Sequence, residues 1–463
     1  MEEQASFRTE SLGTSIKIYV IGSMIVKALG LIRSIGFARL LGPEQFGVFV
    51  ICYSLVTILE PMATIGLSAS LLRFSSNPSD SKKILLCGFF ASLAITSLFL
   101  LLAPTIGSLL KVDNRVLLIL SILSLVPYGF YHLLYSSYQG LRNFFMAVIV
   151  QFTYLSFFTI GGIVAIKFIK ADALTAINMH IAGCLLTALF VIPILFFRSK
   201  AKSSLVLKAA VIYGLFTVAI DMGFEAYRYI DRYVINWYLD SSKVGVFSAA
   251  YTLAMIPMMI GSVLGETLLP HLSTVFDRGE KERGAHLINV FIKVILIIGI
   301  FIVGLVGLFK RPIIELLYGA KYIDGAQVLP VLTAYSVVFA SYNILFLYFF
   351  LLKKPQMGIL TTAVGLISSF LFNVFFVPKW GVSGAAWATF CSGLVLLALL
   401  VTMTRFYKFN LDAKILVCIA CLIVIPLEVG IYIFAPIGLA LWLVAINKSE
   451  RTEIVRIIKG EEV

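Results

Sequence analysis

The 463-residue chain is 60% hydrophobic and only 13% charged, with a mean hydropathy of +1.00. A soluble protein of this length could not bury so much apolar surface, so the composition excludes a soluble enzyme and predicts an integral membrane protein. Thirty-seven lysines and arginines against 24 aspartates and glutamates give a formal charge of +13, which in such a chain reads as topology and phospholipid contact, not nucleic-acid binding.

A helix needs about 20 apolar residues to cross the hydrocarbon core. Windows of that length predict helices near 15–38, 46–70, 83–110, 115–137, 144–168, 173–197, 208–238, 244–269, 286–309, 326–352, 356–377 and 382–405. The polar stretch Met1–Gly13 leads into the first of them with no short apolar core or cleavage site. As one helix the tail 413–446 would run to about 50 Å at about 1.5 Å per residue, beyond the hydrocarbon thickness. Pro426, Glu428 and Pro436 instead suggest two short spans turning near Glu428. The expectation is an all-α integral membrane protein of about fourteen transmembrane helices. With the N-terminus inside, the inner segments hold 22 lysines and arginines and the outer segments 11, a bias that predicts both termini in the cytoplasm.

Shifting the sequence by 198 residues lays Leu41–Ile58 on Leu239–Ile256 with seven of eighteen positions identical, among them Gly47-Val48-Phe49 on Gly245-Val246-Phe247 and Tyr53 on Tyr251. The shift spans six helices, an even number, so the copies would share one orientation. Parallel repeats of this kind are a known transporter plan, with the site where the halves meet. They predict two six-helix lobes in a parallel pseudo-twofold repeat around a central cavity, 1–204 and 205–410, followed by a C-terminal helix pair and cytoplasmic tail, 411–463. The same shift carries Lys27 onto Glu225 and Arg33 onto Asp231.

The seventh predicted helix carries the most informative pattern. Asp221, Glu225, Arg228 and Arg232 recur at i, i+4, i+7 and i+11, on one helical face. A charge at bilayer depth costs about 2.5–3.5 kcal/mol on insertion scales, so such residues face a cavity or a partner. Two readings stand: Glu225 neutralises Arg228 or Arg232 as a structural pair, or the stripe lines a polar pathway. The intramembrane bases Lys27, Arg228, Arg232 and Lys293 favour an anionic substrate over a cationic one. Glu60 and Glu266 are further acids within predicted helices. His132, His180, His271 and His286 are scattered, without metal-ligand spacing, and read as structural. Tyr128, Tyr131, Tyr135 and Tyr138 read mainly as an interfacial aromatic belt.

Four motifs recur in order: Leu41-Gly42-Pro43 with Phe46-Gly47; Ile230-Asp231-Arg232 followed by Val244-Gly245-Val246-Phe247; Leu317-Tyr318-Gly319-Ala320-Lys321-Tyr322; and Lys379-Trp380-Gly381-Val382-Ser383-Gly384-Ala385-Ala386. Together they resemble the polysaccharide-export flippases, of O-antigen and teichuronic-acid translocase type, within the multidrug/oligosaccharidyl-lipid/polysaccharide exporter superfamily. The resemblance covers essentially the whole chain. It implies two lobes forming a V, alternating access, and flipping of a polyprenyl-diphosphate-linked oligosaccharide from the cytoplasmic to the outer leaflet for cell-surface polysaccharide. It implies no enzymatic activity and no resident cofactor, with Na+ or H+ as the coupling ion.

On this reading Lys27, Arg33, Arg228 and Arg232 would hold the diphosphate, which needs Arg or Lys partners in a hydrated, protein-lined space. Asp221, Glu225, Glu60 and Glu266 are coupling candidates. Lipid II flippases of the superfamily carry a sodium site whose matching positions here are Ser369, Asn373, the Ala385 carbonyl and Thr389, although Asn373 stands where a carboxylate is expected. The implied setting is a bacterial or archaeal cytoplasmic membrane, with a monomer among membrane lipids and polysaccharide polymerase machinery as a partner. The alternatives are a lipid II flippase or a cation-coupled multidrug antiporter of the same fold. A membrane polymerase fits poorly, because the longest outer loop, Lys310–Gln327, is too short to build an active site.

Overall fold

The computed structural model describes residues 12–75, 78–196, 207–352, 354, 356–407, 409–426, 434–446 and 450. All the regular structure among them is helical, as hydrocarbon demands of a backbone that must satisfy its own polar groups. Nine of the described helices are long and apolar enough to cross a membrane, or ten if Ser241–Ala254 and Ile256–Gly265, bent by 42°, form one span. The chain is a multi-pass membrane protein. It divides by packing into two compact units, Met1–Ser248 and Ala249–Val463. The repeat boundary expected at 204/205 lies outside the described residues.

The first unit holds α1 (Leu12–Ala63), α2 (Leu67–Phe74), α3 (Pro78–Leu101), α4 (Ala103–Leu110), α5 (Arg115–Leu123), α6 (Leu125–Gly140), α7 (Phe144–Ser156), a π-helical turn (Phe157–Gly161), α8 (Gly162–Phe168), α9 (Ala173–Phe196), α10 (Leu207–Tyr238) and the start of α11 (Ser241–Ala254). Three helix starts expected from the sequence rest on side-chain caps. Asn114 accepts from Leu117 N–H at 3.0 Å, Asn143 from Met146 N–H at 3.1 Å, and Asp172 from Thr175 N–H at 2.8 Å. Each satisfies a backbone donor that a helix start leaves open.

α1 joins two predicted spans through Gly42, whose φ of 74° and ψ of 169° only glycine adopts without strain. Pro43 then starts the next stretch with its φ already set for a helix. Under the 198-residue shift Gly42 falls on Asp240, where α10 ends and Asp240 accepts from Lys243 N–H at 2.8 Å. The repeat therefore appears as a shared break in the chain, made by two different residues. The paired glycines of the repeat also meet within this unit: a methyl on Gly47 would collide with Ser241 O, and one on Gly245 with Pro43 O. Only hydrogen at both positions lets these helix starts approach backbone to backbone.

The second unit continues with α12 (Ile256–Asp277), α13 (Lys281–Leu308), α14 (Lys310–Tyr318), α15 (Gly325–Leu351), α16 (Gln356–Phe406), α17 (Ala413–Val424) and α18 (Phe434–Ala445). α15 packs against α12, α13 and α16 and is buried along most of its length. α16 joins two predicted spans through Gly381, at φ 58° and ψ −135°. The tail forms two short helices, α17 and α18. Lys414 near the start of α17 donates to Val444 O near the end of α18 at 3.0 Å, so the pair is antiparallel. The turn expected at Glu428 lies outside the described residues.

An ion cluster fastens this pair to α13. Lys293, 1% exposed, donates to Asp412 at 2.9 Å, Glu450 at 2.7 Å and Ala445 O at 3.2 Å. Asn289, one turn earlier, donates to Asn410 O and accepts from Asp412 N–H. Burial works against the Asp412 carboxylate, yet its hydrogen bonds from Lys293 and Lys414 N–H outweigh that and hold its carboxyl below the usual range. The resulting stabilisation is complete above the ordinary value of about 3.9 and is lost as pH falls through the lowered folded value. Lys293 thus serves the packing of the tail, so its expected weight as evidence for an anionic substrate falls away. Lys293→Met would strand Asp412 and Glu450 beside an apolar group. A loss of about 3–5 kcal/mol is expected, seen as a lowered melting midpoint of the purified protein in detergent.

Candidate functional site

Four parts of the first unit converge on one aromatic cage: α1 supplies Arg33 and Tyr53, α6 supplies Tyr128, Tyr131 and His132, α7 and its π turn supply Tyr154 and Phe158, and α9 supplies His180. The π turn, a form that recurs at functional sites, carries Phe158 at 0% exposure into the middle of the group. The Arg33 guanidinium lies 4.5 Å from the Phe158 ring centroid and 5.3 Å from that of Tyr53. Held by ring faces and by the Tyr53 hydroxyl, it has further in-plane N–H donors suited to a carboxylate or phosphate. Among the described residues no carboxylate lies within ion-pair distance of Arg33.

Behind Arg33, His180 is fully buried. Its Nδ1 lies 2.9 Å from Tyr154 Oη, and the rings of Tyr128, Phe158 and Tyr53 stand at 5.0, 5.2 and 5.3 Å. Its Nε2 has no hydrogen-bond partner among the described residues. The tyrosines overturn the belt reading. Tyr128, Tyr131 and Tyr138 are 7%, 5% and 1% exposed, and Tyr131 packs on Tyr154 at 4.3 Å. Their spacing with Tyr135, at i, i+3, i+7 and i+10, is an inward helical stripe, a signal the sequence offered.

The stripe on α10 is internally paired. Arg228 bonds Glu225 at 2.8 Å with both groups half-buried, as the structural reading expects. Arg232 takes its neighbour Asp231 at 2.6 Å instead, and also donates to Arg228 O at 2.7 Å. Its guanidinium lies over Tyr229 and Phe247 at 5.3 and 5.2 Å. Asp231 is the partner that the four-residue pattern left out, being off the stripe by sequence but within reach of the adjacent side chain. Asp221 is exposed. Glu60 is 6% exposed, accepts from Thr64 and Ser68, and lies in electrostatic reach of Asp221 and Glu225. Lys27 is half-buried on α1, in the same stretch as Arg33.

The remaining candidates belong to the second unit. Asn373 is fully buried and donates to Ser369 O at 2.8 Å, while its Oδ1 has no hydrogen-bond partner among the described residues. Thr389 donates to Ala385 O at 2.9 Å, so that carbonyl already accepts one bond. The Glu266 side chain lies outside the described part. Among the described residues no three His, Cys, Asp or Glu side chains are grouped closely enough to hold a metal ion.

A family model described as polysaccharide biosynthesis protein matches residues 37–327. The curated relative named "Probable low-salt glycan biosynthesis flippase Agl15", from Haloferax volcanii, is 23% identical over 383 residues, which are 81% of this chain and 79% of that protein. The lipid II flippase MurJ of Bacillus subtilis is 20% identical over 426 residues, covering 80% and 78%. A solved structure of lipid II flippase MurJ in an inward closed conformation aligns with a TM-score of 0.71 at 19% identity, covering 95% of this chain and 99% of that one. At that identity the likeness establishes the fold.

The two arginine pairs on α10 differ in burial, and so in what they contribute. Asp231→Asn removes the carboxylate beside a guanidinium 4% exposed and is expected to cost about 3–5 kcal/mol. Glu225→Gln removes the carboxylate beside an arginine 39% exposed and is expected to cost under about 1 kcal/mol. Thermal unfolding of the two variants side by side checks the difference.

Proposed function

The chain belongs to the polysaccharide biosynthesis protein family, and we propose that it flips a polyprenyl-diphosphate-linked oligosaccharide from the cytoplasmic to the outer leaflet by alternating access. The observation that carries this reading is Arg33, a cation in a membrane helix with no carboxylate in ion-pair distance among the described residues. A sugar diphosphate cannot cross hydrocarbon unaided, and a guanidinium fork stacked on rings is suited to a phosphate edge. The glycan-flippase name of the Haloferax relative points to the same substrate class. The polyprenyl tail stays in the hydrocarbon, so the protein has only the head to shelter.

Arg33 is the principal phosphate partner in this reading, with Lys27 on the same helix as its second. Arg228 and Arg232 each hold a carboxylate already, Glu225 and Asp231. They reach a phosphate only by exchanging or sharing that partner, and Arg228, the more exposed, is the one placed to do so. The acids Glu60, Asp221 and Glu225 supply proton or sodium coupling. The reaction is transport, without covalent change to the cargo. The protein works as a monomer in a bacterial or archaeal cytoplasmic membrane with both termini inside, as the two-to-one bias of basic residues favours, and hands its product to polysaccharide polymerase machinery.

The test is complementation in the native host after depletion of the protein, with extraction of the lipid-linked intermediates. A strain-specific diphosphate-linked oligosaccharide is expected to accumulate. If lipid II accumulates instead, the protein belongs to cell-wall synthesis. Arg33→Ala is expected to lower export by about tenfold or more, the scale of a charge-assisted hydrogen bond, with normal protein level. Arg33→Lys keeps the charge but loses the planar fork and should recover only part of the export. Parental export by Arg33→Ala would remove Arg33 from the binding site.

A further inference from the structure

The buried histidine behind Arg33 has no part in the reading above, and its surroundings give it one. His180 is 0% exposed inside a membrane helix, yet only one of its ring nitrogens is engaged among the described residues. Buried polar atoms are nearly always paired, so an unpartnered Nε2 calls for an explanation. A histidine serving only as packing needs neither a tyrosine bond nor a titratable nitrogen. This one, on α9, packs against the single π-helical turn among the described residues, whose Phe158 lies within 5.2 Å of the imidazole and 4.5 Å of the Arg33 guanidinium. The rings of Phe158 and Tyr53 therefore each contact both the imidazole and the cation.

The groups facing His180 are few. Arg33 and Tyr53 face it from α1, Tyr128 and His132 from α6, and Tyr154 from α7, while the π turn presents Phe158 and no charge. Cys184 follows one turn along its own helix. Arg33 is the one permanent charge in this set, and no carboxylate lies in ion-pair distance of it among the described residues. An imidazolium would add a second positive charge to the same cage. An anion on Arg33 reverses that balance, because it brings negative charge to the same cage.

We propose that His180 is a proton-binding site linked to the anion site at Arg33, taking one proton from water when a phosphate occupies Arg33 and returning it when the phosphate leaves. The inference rests on the reading of Arg33 as a phosphate partner. The proton adds to the Nε2 lone pair of the tautomer whose Nδ1–H donates to Tyr154 Oη; both nitrogens then carry hydrogen, and the Tyr154 bond persists. Linkage makes the effect reciprocal: a proton on His180 strengthens phosphate binding, and phosphate strengthens proton binding, by the same factor. A cargo that binds with a proton on one side of a membrane and leaves without it on the other couples its movement to a proton gradient.

The experiment uses the full chain in lipid nanodiscs with geranylgeranyl diphosphate as the probe. Titration calorimetry in buffers of different ionisation enthalpy counts protons taken up per probe bound. The parent is expected to take up about one proton more than His180→Gln, the variant serving also to subtract the probe's own protonation, and its affinity to rise by up to about tenfold per unit fall in pH. Equal uptake by parent and His180→Gln overturns the inference and leaves Arg33 untouched. Parental binding by Arg33→Gln, or no binding by the parent, overturns the Arg33 reading and this inference with it. Should His180→Gln fail to fold, nitrogen NMR of histidine-labelled parent decides, with the His180 signal identified from its response to Tyr154→Phe. Conversion to the imidazolium signature on adding the probe supports the site, and a ring that stays neutral overturns it.

Discussion

A charge inside hydrocarbon must be partnered, and the way each intramembrane cation meets that demand organises this protein. Lys293 meets it with two carboxylates from the C-terminal region, Asp412 and Glu450. Arg232 meets it with its neighbour Asp231, and Arg228 with Glu225 three residues away. Each pair holds one piece of the fold to another or stiffens one helix. Arg33 is satisfied differently, by ring faces and the neutral Tyr53 hydroxyl, which stabilise the positive charge without cancelling it. That difference separates a residue serving structure from one left with charge to offer a ligand.

Backbone geometry sets where these side chains stand. Gly42 breaks α1 with a conformation other residues avoid, and Asp240 breaks the equivalent stretch 198 residues on by capping α11. Gly47 and Gly245 then allow the two restarted helices to touch through their backbones. The first stretch of α1, which carries Arg33, and the end of α10, which carries Asp231 and Arg232, both run up to this junction. The π turn also bears on the cage: it carries Phe158, buried, into contact with Arg33 and His180.

Much of the fold was legible because span length and capping are local properties. Windows beginning at 115, 144 and 173 coincide with Asn114, Asn143 and Asp172, each capping the next helix. The repeat was legible in Gly47 and Gly245, although that these two glycines touch is a fact of tertiary packing. The site was less so. The stripe on α10 named Arg228 and Arg232 by periodicity, but periodicity is blind to i, i+1 pairs such as Asp231 with Arg232. Lys293 gave no local sign of partners more than a hundred residues away. The cage around His180 depends on a π turn that shifts the helical register, and no period-3.6 pattern predicts such a shift.

Those same blind spots explain why Asp221, Glu225, Glu60 and Glu266 stand out in the sequence as coupling candidates while His180 reads as structural. Carboxylates in an apolar run stand out against their neighbours, whereas a histidine among tyrosines does not. In the folded chain the contrast reverses. Glu225 is engaged by Arg228 and Asp221 stands at the edge of the stripe, with the buried Glu60 in electrostatic reach of both. His180 has a buried position: one nitrogen bonded to Tyr154, the other unpartnered among the described residues, and two rings, Phe158 and Tyr53, that also contact the Arg33 cation. A titrating group can report on a ligand only if the ligand changes its electrostatic surroundings by more than water can screen. Burial in the aromatic cage removes that screening for His180, and burial does the same for Glu60. The physical requirement for coupling, a shared low-dielectric environment, is therefore met by a neutral-looking residue of the core as well as by the buried acid Glu60.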